Sequence, residues 1–72
     1  MITLSDTQIG ESYKIKDITL REETTRRLEM LGMTYGATVQ VLNRKRSGSV
    51  IIKVRGTRFA LGANFAKGIS VE

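Results

Sequence analysis

The sequence predicts a mainly β domain with one inserted helix, and three observations point to it. Apolar and polar residues alternate with a period of two in four stretches between Ser12 and Leu61, as half-buried strands require. A single segment, residues 20–31, switches to helical spacing. Seven glycines punctuate these stretches, and proline is absent.

The 72 residues fit one domain, residues 1–72, without linker or repeat. Of the apolar residues, 40% of the chain, valine and isoleucine supply 12, enough for one compact core. Cysteine and histidine are both missing, which excludes a disulfide framework and any thiolate or imidazole metal site. The same absence removes the usual nucleophile–base pairs, and no phosphate-binding glycine loop occurs, so an enzyme is not expected. No apolar run approaches the ~20 residues of a membrane span, and a cytoplasmic protein is expected.

Taken in order, the first strand covers residues 12–17, with Tyr13 and Ile15 inward and Lys14 and Lys16 outward. Thr19 and Glu22 have the spacing of a capping box, and Leu20, Thr24, Leu28 and Leu31 form the buried stripe of a helix. Glu22 with Arg26, and Glu23 with Arg27, stand four apart in the favourable order. Gly32 stops the helix in a left-handed conformation, so that Met33 folds back on Leu28. Gly36 marks a second turn.

Three strands follow, over residues 38–44, 49–55 and 58–61. Residues 46–49 form the first turn between them, and Gly56-Thr57 the second, as a type II′ pair with glycine leading. Val39, Val41, Val50, Ile52, Val54, Phe59 and Leu61 face inward. Residues 63–67 make one helical turn between Gly62 and Gly68, with Phe65 inward, and residues 69–71 a last strand. A strand, a helical excursion, a three-strand meander, a helical turn and a closing strand describe a small SH3-like five-stranded barrel.

Charge is unevenly spread. Residues 1–43 hold five basic and six acidic groups, for a net −1, whereas residues 44–72 hold seven basic and one acidic, for a net +6. Arg44, Lys45, Arg46, Lys53, Arg55 and Arg58 fall in fifteen residues without a carboxylate. Such a cluster suits a solvated face, a docking surface for an acidic partner, or a nucleic-acid footprint. Only Phe59 among the aromatics lies inside it, so base stacking has little to work with. Seven carboxylates without histidine offer no convincing iron site, and no cofactor is expected. Tyr35 is the one aromatic expected to be exposed, too few for a proline-rich peptide groove.

The run from Arg27 to Val39 resembles the R-L-x-x-L-G-hydrophobic-x-x-G-x-x-V signature of the ferrous iron transport protein A family. Leu28, Leu31, Gly32, Met33 and Gly36 carry it. The run from Val54 to Gly62, with Gly56, resembles that family's V-x-G-x-x-x-A-L hairpin, and residues 66–71 its closing A-x-x-I-x-V. The resemblance implies an SH3-like barrel with a helix in its first long loop. It also implies a cytosolic accessory protein of the membrane ferrous-iron transporter, whose soluble part is a G-protein-like domain. That domain is the expected partner, the membrane being touched only indirectly. The alternative is a small basic nucleic-acid-binding module, although stable nucleic-acid binding is not expected. The C-terminal domains of iron- and manganese-dependent repressors are similar in pattern, but their DNA-binding domain has no room here. On the residues alone, the motif positions read as structural, and the six cations of the basic cluster are the proposed docking residues.

Overall fold

A computed structural model describes residues 2–72. Six strands form one antiparallel sheet in the order β1-β6-β2-β3-β4-β5. They are β1 (Ile2–Thr3), β2 (Ser12–Ile18), β3 (Thr38–Arg44), β4 (Val50–Val54), β5 (Thr57–Leu61) and β6 (Ile69–Val71). Helix α1 (Glu22–Met30) lies between β2 and β3, and the single turn α2 (Ala63–Lys67) between β5 and β6. The strand count is six rather than five, because β1 adds to β6 through Ile2 opposite Val71 and Thr3 opposite Ser70. A 3₁₀ turn, Leu4–Asp6, follows β1 and drops Leu4 into the core.

The core is the inward set of each alternation: Ile15, Val39, Val41, Val50, Ile52, Val54, Ile69 and Val71 are all buried. Tyr13 and Phe59 pack against this cluster from its margin. Gly68 shows how tightly the shell closes: a Cβ there would collide with Leu20 Cδ2, and Thr19 donates to the Gly68 carbonyl at 2.7 Å.

Helix α1 departs from expectation at its start and agrees at its end. It begins at Glu22, with Arg21 as N-cap and no side-chain cap, so the Thr19–Glu22 capping box does not form. Thr19 instead continues the edge of β2 toward Gly68, and Leu20 lies outside the helix. Of the two expected helical pairs, Glu22 and Arg26 meet at 2.6 Å, largely in solvent, where such a pair contributes a few tenths of a kcal/mol. At the C-terminus, Gly32 has φ +100°. Met33 N–H donates to the Leu28 carbonyl at 2.9 Å and Gly32 N–H to the Glu29 carbonyl at 3.0 Å. These are the two bonds of a Schellman end, and they bury Met33 completely. Gly36, at φ +82°, occupies the third position of a turn closed by Ala37 N–H on the Thr34 carbonyl at 2.9 Å.

The β4–β5 hairpin is also set differently. Val54 stands opposite Thr57, so the two-residue loop is Arg55-Gly56 rather than Gly56-Thr57. Both residues have positive φ, +51° and +81°, which is the type I′ signature and not type II′. Arg55 therefore leaves the strand, and its stem lies against Gly32, within 2.9 Å of where a Cβ would sit.

On the outer surface Lys16 is held by Glu72 Oε1 at 3.1 Å and lies over the Tyr35 ring, 5.3 Å from its centroid. The hydrogen bond to Glu72, then that to Tyr35, raises the Lys16 pKa above its ordinary 10.5. A raised folded-state value means this stabilisation is present below the ordinary pKa and lost as pH climbs through the raised one. Glu72→Gln should therefore lower the Lys16 pKa, as followed by NMR titration of its side chain.

Candidate docking groove and cationic surface

The six cations of the basic cluster are not brought onto one face. Arg44 is half-buried, and its Nη2 donates to the carbonyl and, at 3.1 Å, to the hydroxyl of Thr7, which is itself buried. The guanidinium thus ties the N-terminal segment to the end of β3. Lys45 and Arg46 are exposed in the β3–β4 turn, where Lys45 N–H donates to the Ser49 carbonyl at 2.8 Å. Arg55 sits in the turn at the other end of β4, roughly 16 Å away for a five-residue strand. Lys53 and Arg58 remain together, as directly opposed residues of β4 and β5, both exposed. Like charges directly opposite disfavour pairing, so this cationic patch is not a folding device.

The motif residues divide in two. Leu28, Gly32 and Met33 are buried, and Gly36 and Gly56 make exposed turns at positive φ. Leu31 does not pack as expected: the Schellman end turns it outward, and it is 46% exposed. Phe65 is likewise 44% exposed rather than inward, because Ala66 is the α2 residue that takes the core position.

Leu31 and Phe65 both line an open groove of about 340 Å³ between α1, β5 and α2. Arg27, Leu28 and Leu31 form one wall, residues 59–61 of β5 the other, and Phe65 one end. The single charged group in the lining is Arg27, and no carboxylate contributes. The sequence carries one usable signal for this groove: Leu31 directly precedes the glycine that ends the helix, where inward facing is least enforced. A second, smaller recess of about 180 Å³ is lined by Lys16, Asp17, Glu29 and Tyr35 among others. Among the described residues, no three His, Cys, Asp or Glu side chains come together as a metal site. Among them also, no helix is long and apolar enough to cross a membrane.

This small antiparallel β domain with its inserted helix has a fold shared with several solved structures. The FeoA domain profile matches residues 2–72, and the chain belongs to the FeoA family. A crystal structure of an iron uptake regulatory protein (FeoA) is 34% identical, with a TM-score of 0.86 over 99% of this chain and 93% of that one. The zinc complex of Stenotrophomonas maltophilia FeoA is 28% identical, with a TM-score of 0.83 over 100% of this chain and 91% of that one. That protein is described as a prokaryotic SH3 domain protein, for which a role as a ferrous iron transport activating factor has been suggested. FeoA from Chlorobium tepidum is 26% identical, with a TM-score of 0.91 over 99% of this chain and 69% of that one. ScaR with bound Cd²⁺ shares the fold, with a TM-score of 0.87 at 23% identity, but this chain spans only 35% of its length. No curated protein sequence matches the chain.

Proposed function

We propose that this FeoA-family chain is a cytoplasmic, non-enzymatic adaptor of ferrous iron uptake that docks on the cytosolic G-protein-like domain of the membrane transporter. The observation that carries this reading is the groove, because the exposed Leu31 and Phe65 and the half-buried Phe59 line one recess between three elements. Exposed aromatic and aliphatic anchors around a recess are what a partner's buried side chains require. The adjacent Lys53–Arg58 pair supplies a positive field that would steer an acidic partner toward it. We also read the sheet as an SH3-like barrel, supported by the order β6-β2-β3-β4-β5, in which a meander is flanked by the closing strand.

The nucleic-acid alternative loses its main support, since Arg44 is engaged by Thr7 and the other cations separate to the two ends of β4. The test is a pull-down of the transporter's cytosolic domain, with and without guanine nucleotide, repeated over a salt series. Lys53→Glu would place a carboxylate opposite Arg58, raising stability by about 0.5 kcal/mol while slowing association and flattening its salt dependence. Wild-type salt dependence in that variant would show that the patch is a solvated surface.

A further inference from the structure

Among the described residues the outer edge of β5 has no strand partner, and β5 forms the floor of the same groove. β5 ends the sheet order and, among the described residues, pairs only with β4. Because Val54 and Thr57 flank a two-residue turn, they exchange both ladder bonds, and the alternation then gives Phe59 and Leu61 to β4 as well. The N–H and C=O groups of Arg58 and Ala60 are therefore directed away from the sheet, toward the space beneath α1.

We propose that the groove takes an extended peptide segment, which adds to β5 as a further strand and alternates apolar with acidic residues. This rests on the docking reading above and specifies its mode. Strand periodicity sets the pattern. Peptide residues in line with Phe59 and Leu61 point beneath α1, toward Leu28, Leu31 and Phe65, and must be apolar. Residues in line with Arg58 continue the outward row Lys53–Arg58, where a carboxylate relieves a repulsion already present. Main-chain bonds to an edge strand with side-chain pockets at alternate positions constitute strand addition.

The test uses the full chain, ¹⁵N-labelled, and a capped six-residue peptide of alternating leucine and glutamate. Hydrogen exchange at the Arg58 and Ala60 amides should slow at least tenfold on binding. Ala60→Pro removes an outward N–H from an edge strand, a place where proline is tolerated, and should weaken binding at least tenfold. An alternating leucine–lysine peptide should bind at least tenfold more weakly than the acidic one. Unprotected amides at saturation, or a folded Ala60→Pro variant binding as wild type, would overturn the proposal. Concentration-dependent dimerisation of the free chain that protects the same amides would overturn it too, since a second copy would then own the edge. If Ala60→Pro does not fold, the exchange measurement decides alone. The transporter domain run in parallel separates the two readings. Peptide binding with protection but no capture of that domain leaves strand addition standing and removes the transporter. Capture that is indifferent to Ala60→Pro does the reverse.

Discussion

Gly32→Val is expected to destabilise the domain by about 2–4 kcal/mol, because it meets two separate obstacles. The first is conformational: φ is +100°, and a β-branched residue is strained there whatever surrounds it. The second is steric: a Cβ would lie 2.9 Å from Arg55 Cδ and 3.3 Å from Val54 Cγ1. Gly36→Val isolates the first obstacle, since its φ of +82° is similar and no atom lies within 4 Å of its Cβ position. That variant should cost only about 1–2 kcal/mol. In melting temperature the two should differ by roughly 5–15 °C, at 4–8 °C per kcal/mol for a domain of this size. Gly32→Asn should fall between Val and wild type, as Asn tolerates positive φ but still carries the Cβ. In an Arg55→Gly background the cost of Gly32→Val should shrink by about 1 kcal/mol, a coupling expected of residues in contact. Equal losses at Gly32 and Gly36 would mean that the Arg55 stem moves aside freely and that the hairpin does not brace the helix end.

That brace also shows where sequence reasoning reached and where it stopped. The helix end was legible because Gly32 and Met33 carry their reason locally: a glycine for positive φ and an apolar residue to fold back. The strands were legible from alternation, and the spans of β3, α2 and β6 match residue for residue. The hairpin loop lies one residue earlier than the glycine suggests, because Arg55 itself adopts positive φ ahead of Gly56. β1 has no periodicity to read, since two residues become a strand only by pairing with β6. Arg44 reads as a surface cation, and only the fold brings the Thr7 carbonyl to it across 37 positions of chain. The groove was missed for the same reason. Leu31, Phe59 and Phe65 come from three elements, and helical or strand spacing assigns each to the core in isolation.

The functional consequence of that misassignment is a separable pair of side chains, and Leu31→Gln with Phe65→Gln tests it. Both residues are nearly half exposed, so together the changes should cost only about 1–2 kcal/mol of stability. Gln is preferred to Asp because a carboxylate at the C-cap position of Leu31 would oppose the helix dipole and confuse the two readouts. Binding should suffer far more. Apolar anchors central to an interface are typically worth 2 kcal/mol or more on truncation, or about thirtyfold in Kd. The expected result is a folded, cooperative domain melting roughly 5–15 °C lower that captures the transporter's cytosolic domain at least thirtyfold more weakly. Lys53→Glu, by contrast, should change association rate and salt response with little effect on dissociation, because its charge is exposed and lies outside the groove lining. The two variants therefore read different steps of one encounter. If the glutamine pair binds as wild type while Lys53→Glu does not, the contact is electrostatic and lies on the β4–β5 surface. If both bind as wild type, the partner meets neither, and the groove has another occupant.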